Sequence, residues 1–106
     1  MRTSELTGKA LDWAVVKANQ PEAANSKLTS AVTLWGFNPS EKWAQGGPII
    51  EREGISVMLK QSNPLMVWIA TYNNPWVSGP TALVAAMRCY VTSKLGDDVD
   101  IPQELL

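Results

Sequence analysis

The apolar positions near the start of the chain follow a helical period. In "ELTGKALDWAVVKANQP" they recur at three- and four-residue spacing, with Leu11 on the apolar face and Asp12 on the polar one. Thr7 is a predicted N-cap, and Pro21 ends the segment because proline cannot continue a helix. This pattern predicts a helix over residues 8–19.

Three further segments carry patterns typical of strands. "KLTSAVTLWGF", residues 27–37, is rich in β-branched residues with alternating apolar positions, which predicts a strand. "ISVMLK" (55–60) and "LMVWIATY" (65–72) also alternate, and the polar "QSNP" between them predicts a β-hairpin. Both faces of the 65–72 segment are apolar, so we expect it to be the central strand, covered on both sides.

Proline and glycine divide the region between these strands into two short helices. In "NPSEKWAQGG", Asn38 is a predicted N-cap, and Gly46 or Gly47 ends the helix. "PIIEREG" then forms a second turn of helix, which ends at Gly54.

The clearest helical pattern lies in "TALVAAMRCYVTSKLG", residues 81–96, where an apolar stripe repeats with the period of an amphipathic helix. The stripe consists of Leu83, Met87, Tyr90, Val91 and Leu95. Ser78 or Gly79 is the predicted N-cap, and Gly96 ends the helix.

This order of elements predicts an α+β fold. A small antiparallel sheet of about three strands packs with an N-terminal and a C-terminal helix and with short helical turns. We expect residues 1–106 to form a single domain.

Composition and charge narrow the classes of function. The chain is 45% hydrophobic and 18% charged, and its formal net charge is −1. A balance this close to neutral argues against nucleic-acid binding. No apolar run is long enough to span a membrane, and the N-terminus lacks the apolar core of a signal peptide. We therefore expect a cytoplasmic protein with no membrane partner.

The side chains that most often carry catalysis at neutral pH are missing. There is no histidine, and Cys89 is the only cysteine. Ser–His and Cys–His nucleophiles and Cys/His metal sites are therefore excluded. Glu51 and Glu53 stand two residues apart, so on a helix they diverge. We predict a protein that is not an enzyme, with no catalytic residue, no cofactor and no metal.

The candidate binding residues are aromatic side chains, arginines and the starts of helices. Five tryptophans are many for this length, and they act either as core fillers or, for one or two of them, as a surface that stacks on flat rings. "GGP" and "SGPT" precede predicted helices, whose free N–H groups suit anions, although they also fit ordinary turns. The candidate ligand-binding residues are Trp43, Gly46, Gly47, Glu51, Arg52, Tyr72, Trp76, Gly79, Thr81 and Arg88.

Three stretches in this order resemble the NinX family of small proteins from lambdoid phages and prophages. They are "ELTGKALDWAVVKA" (5–18), "WAQGGPIIEREGI" (43–55) and "GPTALVAAMRCYVTSKLGDDVDIP" (79–102), which together cover about half the chain. Residues 19–42 and 56–78 match the family poorly. The resemblance implies a phage-encoded accessory protein acting in the cytoplasm of a bacterial host cell, and it brings no catalytic residue.

Two hypotheses follow for the function. The first is a non-catalytic binding protein that holds a small anionic, aromatic ligand, such as a nucleotide-type signal of host defence. The alternative is a protein-interaction module that inhibits a host protein through an exposed tryptophan patch. Nucleic-acid binding and hydrolysis are less favoured. We also expect a homo-oligomer, because the small domain carries many apolar residues.

Overall fold

A computed structural model describes residues 1–62, 65–72 and 76–106 of the chain. Its helices are α1 (Gly8–Asn19), α2 (Asn25–Thr33), α3 (Trp43–Glu53) and α4 (Ala82–Leu95). Its strands are β1 (Ser56–Ser62), β2 (Leu65–Thr71) and β3 (Trp76–Gly79). Short 3-10 turns lie at Thr3–Glu5 and Gln103–Leu105. The predicted α+β class with a small antiparallel sheet is confirmed. No described helix has the length and apolar character needed to cross a membrane.

Helix α4 is the centre of the core. Most of the predicted apolar stripe is buried, and Met87 and Val91 are fully enclosed. The helix packs against α1, α3 and all three strands. Its end at Gly96 is as predicted. Its predicted N-cap was wrong, because Thr81 caps the helix rather than Ser78 or Gly79.

Helix α1 covers the predicted residues 8–19 and packs against α4. Leu11 is fully buried, as the helical period requires. The expectation that Asp12 faces outward was wrong, since this residue is only 3% exposed. Its carboxylate accepts a hydrogen bond from the N–H of Ser40 at 2.9 Å, which offsets part of the cost of burial.

The strand predicted over residues 27–37 was wrong, because the central part of this segment is helix α2. Leu28 and Val32 are its buried residues, and their spacing of four puts them on one side of a helix. This side packs against α1, and Lys9 of α1 donates to the carbonyl of Val32 at 3.2 Å. Packing on a neighbouring helix therefore outweighs the β propensity of the segment.

The two short helices predicted over residues 38–54 were also wrong. Residues 39–41 form a turn, in which the carbonyl of Asn38 accepts from the N–H groups of Glu41 and Lys42. A single helix, α3, then runs through both glycines and Pro48. Only its end is as predicted, at Gly54, whose φ of 71° is left-handed and favours glycine.

The sheet contains the predicted hairpin, with β2 in its centre. The third strand is β3, which pairs antiparallel to β2 over residues for which the sequence predicted no strand. Ala70 of β2 is fully buried on the face that packs against α4. The expected cover on both faces was wrong, since Met58 and Trp76 on the opposite face are 55% and 56% exposed. Residues 63–64 of the predicted turn lie outside the described residues, as do residues 73–75.

Candidate functional site

The starts of α3 and α4 flank a surface groove, which we call the tryptophan groove. Its volume is about 530 Å³. It is lined by Ser40, Glu41, Trp43, Trp68, Thr81, Ala82, Leu83 and Val84. Trp43 is 58% exposed and Trp68 is half-buried, so both can contribute ring surface to a bound molecule.

Backbone donors at two helix ends meet in this groove. Thr81 caps α4, since its hydroxyl accepts from the N–H of Val84 at 3.1 Å. The N–H groups of Trp43 and Ala82, the first residues of α3 and α4, have no hydrogen-bond acceptor within the part of the chain that the structure describes. Such ends carry partial positive charge, so the groove suits an acidic group.

The predicted anion-binding helix start at Gly46, Gly47 and Pro48 was wrong in position. These residues lie inside α3, which begins at Trp43. The shift brings the real start of the helix beside Thr81, which also lines the groove. The structure therefore places two helix starts beside one groove, although the first of them is not the one that the sequence suggested.

Ser40 and Glu41 form the polar part of the groove. Ser40 is 3% exposed, and no group of the described residues stands in hydrogen-bond geometry with its hydroxyl. Burial raises the pKa of the Asp12 carboxyl beneath it, and the nearby Ser40 N–H and hydroxyl oppose this rise. Glu41 is exposed and accepts from Asn38 Nδ2 at 3.4 Å. Of these two residues, only Glu41 thus offers the groove an accessible polar side chain, because the Ser40 hydroxyl is buried.

Two of the predicted glycines are positions of close packing. A Cβ on Gly46 would lie 2.5 Å from the carbonyl oxygen of Pro39 and 2.7 Å from Leu83 Cδ2. A Cβ on Gly79 would lie 2.7 Å from the backbone nitrogen of Ala85. These glycines allow α3 and β3 to approach α4 at the base of the groove. Gly47 is less confined, with Trp43 Cε3 the nearest atom at 4.0 Å.

Arg52 belongs to a different group, which we call the polar cluster: Asn19, Arg52, Glu53, Tyr90 and Lys94. Arg52 donates to Glu53 at 2.9 Å, to Asn19 at 3.0 Å and to the Tyr90 hydroxyl at 3.2 Å. Tyr90 donates to the same Asn19 oxygen at 2.5 Å, and Lys94 lies 3.2 Å from Glu53. The cluster ties together the last turns of α1, α3 and α4.

Electrostatic effects in the polar cluster follow from these contacts. Hydrogen bonding with Glu53 raises the pKa of Arg52, and the same contact lowers the pKa of Glu53. Burial raises the pKa of the Tyr90 hydroxyl. The pKa of Lys94 is raised chiefly by its hydrogen bond with Glu53, and the half-buried Tyr72 acts in the same direction. The predicted Glu51 is exposed and outside this network. The described contacts of Arg52 are therefore structural ones.

Arg88 and Trp76 lie apart from both groups. Arg88 donates to the carbonyls of Leu6 at 2.8 Å and Ser78 at 2.9 Å, and burial lowers the pKa of its guanidinium. It thus joins the N-terminal segment to the sheet. Trp76 lies on the exposed sheet face, where Lys60 Nζ is 5.4 Å from its ring centroid. Neither residue lines the tryptophan groove.

Of the ten predicted ligand-binding residues, the groove brings together Trp43 and Thr81. Sequence reasoning missed Trp68 and Ser40. The alternation in β2 shows Trp68 on the same face as Ala70, but this pattern alone also fits a core residue. The spacing of Thr81 from Val84 is that of an N-cap, and it was the signal that would have placed the start of α4 correctly.

Cys89 is buried, and burial raises the pKa of its thiol, which disfavours the reactive thiolate form. The described residues hold no group of three or more His, Cys, Asp or Glu side chains arranged to bind a metal ion.

A known protein family matches this chain over most of its length. The family model described as Bacteriophage P22, NinX matches residues 2–94, which is most of the chain. It includes the two segments that resemble the family poorly by inspection, and it confirms the resemblance identified from three stretches. No curated protein matches closely enough to count as a relative.

Proposed function

The chain belongs to the NinX family of phage proteins and is thus a phage accessory protein, and we propose that it acts as a non-catalytic binding protein. Its ligand is a small anion with a flat ring, held in the tryptophan groove. The observation that carries the proposal is the meeting of two helix starts and two tryptophans in one groove.

The ring of the ligand stacks on Trp43. This side chain is 58% exposed, so its ring offers free surface without rearrangement of the core. Stacking of a base on an aromatic side chain contributes about 1–3 kcal/mol. Trp68 forms the opposite wall from the central strand, where its backbone is fixed by pairing on both sides.

The acidic group of the ligand accepts hydrogen bonds from the N–H groups at the starts of α3 and α4. The exposed Glu41 carboxylate would repel an acidic group placed close to it, but it can accept hydrogen bonds from hydroxyl or amino groups of the ligand. The groove therefore favours a ligand with separate acidic and donor groups over a bare anion. A nucleotide has this distribution, with phosphate at one end and ribose hydroxyls and a base at the other.

A nucleotide-type signal of host defence is the ligand class that agrees with a phage accessory protein. Removing such a signal by binding requires affinity and no catalytic group. The absence of histidine from the chain supports this mode of action over hydrolysis.

The first test is calorimetric titration of the protein with a panel of cyclic and linear nucleotides. We expect at least one to bind, and Trp43→Ala to weaken its binding by about tenfold or more, because a stacking energy of 1.4 kcal/mol corresponds to a factor of ten. Trp76→Ala is the matched control, since Trp76 is equally exposed on the far face of the sheet. Absence of binding by every nucleotide of the panel would refute the nucleotide assignment.

The role of the helix start has its own test in Ala82→Pro. Residue 82 is the first of α4, where proline is well accepted, and Thr81 before it already has the extended backbone that proline requires (φ −132°, ψ 161°). The substitution removes one N–H donor and leaves the helix in place. We expect weaker ligand binding with unchanged circular dichroism. Unchanged affinity would show that the acidic group does not reach α4.

A further inference from the structure

A second cavity lies on the other side of the first turn of α3. We call it the α1–α2 cavity, and its volume is about 390 Å³. It is lined by Val16, Asn19, Gln20, Lys27, Ala31, Trp35, Phe37 and Gln45. Trp43 and Gln45 are two residues apart in α3, so they face nearly opposite directions, one into each site. No residue is shared between the two linings.

The walls of this cavity are fixed by the end of α2. The N–H groups of Trp35 and Phe37 donate to the carbonyls of Ser30 and Ala31 at 3.1 and 3.0 Å. Gly36 between them has a φ of 69°, a left-handed conformation that turns the chain back over the helix. The backbone of the two aromatic residues is thereby fixed at the same opening before any ligand binds.

Gln45 fixes the remaining wall. Its Oε1 atom accepts from the N–H of Asn38 at 2.6 Å, and its Nε2 atom donates to the carbonyl of Gly36 at 3.5 Å. One side chain of α3 thus holds both ends of the loop that carries Phe37. A preformed wall lowers the entropy lost on binding, which favours a specific ligand over loose adsorption.

The lining of the α1–α2 cavity carries charge of one sign. Lys27 is its only ionised residue, and its other polar residues are the neutral amides Asn19, Gln20 and Gln45. No carboxylate of the described residues lines it, although acidic residues outnumber basic ones in the whole chain, ten to nine. Apolar walls with a single ammonium at the rim complement an aromatic molecule with one negative charge.

We propose that the α1–α2 cavity is a second ligand site, which binds a flat aromatic molecule carrying a single acidic group. The ring lies against Trp35 and Phe37, and the acidic group pairs with Lys27. The volume suits a molecule of one or two rings, since ligand pockets of about 300–1,000 Å³ hold molecules up to the size of a drug. This site is independent of the function proposed for the tryptophan groove.

The test uses the tryptophans as reporters of position. In protein with ¹⁵N-labelled tryptophan, the five indole N–H groups give separate nuclear magnetic resonance peaks, which Trp→Phe variants assign. Titration with 2-naphthoate, an aromatic monocarboxylate, should shift the Trp35 peak. The peaks of Trp43 and Trp68 should move little. The uncharged 2-naphthalenemethanol should bind more weakly, by up to about fivefold, because it lacks the charge that pairs with Lys27.

Variants separate ring stacking from charge pairing. Trp35→Ala should weaken 2-naphthoate binding by about tenfold. Lys27→Gln should remove most of the preference for naphthoate over the alcohol. Both side chains are exposed, so the fold should not depend on them. Matched controls are Trp76→Ala and Lys42→Gln, which alter an exposed tryptophan and an exposed lysine outside the cavity.

Three results would overturn all or part of the proposal. One is the absence of any Trp35 shift at millimolar naphthoate. Another is a shift of Trp43 and Trp68 in its place, which would put the probe in the tryptophan groove. Equal affinity for naphthoate and its alcohol would reject the role of Lys27 and the anionic ligand class. None of these results depends on whether nucleotides bind the groove.

Discussion

The substitution Gly46→Ala tests how closely α3 packs against its neighbours, because it has two opposing effects on the stability of the fold. Alanine in place of glycine in a helix stabilises it by about 1 kcal/mol. The new Cβ, however, would lie 2.5 Å from the Pro39 carbonyl oxygen and 2.7 Å from Leu83 Cδ2. Carbon atoms pack best at roughly 3.5–4.0 Å, so α3 must move or the turn at Pro39 must give way.

The size of the effect follows from these two terms. Overpacking a core costs about 1–3 kcal/mol, and here the contact is with a backbone carbonyl, which cannot rotate away. We therefore take the upper end of this range. Subtracting the helix gain leaves a net destabilisation of about 2 kcal/mol, which lowers the melting temperature by about 8 °C or more.

Gly47→Ala is the matched control for the measurement. The neighbouring glycine has no atom closer than 4.0 Å to its Cβ position. The stability that alanine adds to the helix is offset by contact of its Cβ with the ring of Pro48. We therefore expect the free energy of unfolding to change by about 0.5 kcal/mol or less. Urea unfolding followed by tryptophan fluorescence gives both free energies of unfolding. If Gly46→Ala is as stable as Gly47→Ala, the close contact of α3 with Pro39 and Leu83 does not exist.

Three further predictions concern buried polar contacts. Arg88→Lys should destabilise the fold by about 1–3 kcal/mol in urea unfolding, because one ammonium cannot bond both carbonyls that the guanidinium joins, and full stability would show that this link is dispensable. Thr81→Ala should lower the free energy of unfolding by about 1 kcal/mol, because it removes the cap hydrogen bond of α4. Thr7→Ala should have a smaller effect, because Thr7 makes no side-chain hydrogen bond at the start of α1. Equal losses would contradict a stabilising role of the Thr81 hydroxyl. Burial raises the pKa of Asp12 above 3.8, so the folded state favours the protonated carboxyl. This contribution to stability is fully present at low pH, and it is lost as the pH rises through the pKa that Asp12 has in the folded protein. The free energy of unfolding, measured from pH 3 to 8, should therefore rise for Asp12→Asn relative to the wild type as the pH increases. If the variant instead becomes relatively more stable as the pH falls, the pKa of Asp12 is lowered by folding and not raised.

The sequence predicted an element correctly where the period of its apolar residues agrees with the side that is buried in the fold. Residues 8–19 and the apolar stripe from Leu83 to Leu95 bury the faces that their period marks, and the hairpin pairs as its alternation predicts. Helix α2 was missed because its β-branched residues fit a strand, and only contact with α1 decides between the two. Strand β3 was missed because its four residues stand between two prolines in the sequence, and so short a segment shows no clear period.

The candidate groove contains only some of the residues that the sequence suggested for a binding site, and its ligand chemistry stays a prediction. Trp43 and Thr81 both line it. Gly46 and Gly79 were named as ligand-binding residues, but in the structure both are positions of close packing, which depends on atoms far away in the chain. Arg52 and Arg88 are engaged by partners on other elements, which local sequence cannot reveal. The expected homo-oligomer stays a prediction.

The central position of α4 has a consequence for how the chain folds during synthesis. This helix comes from residues 82–95, yet α1, α3 and the sheet all pack against it. Until the ribosome has released it, the surfaces of α1 and of the hairpin that pack against α4 stay uncovered. Contacts between distant parts of a chain also form slowly. The protein should therefore acquire its stable core in one late step, and a nascent chain stalled before residue 82 should be readily cut by proteases.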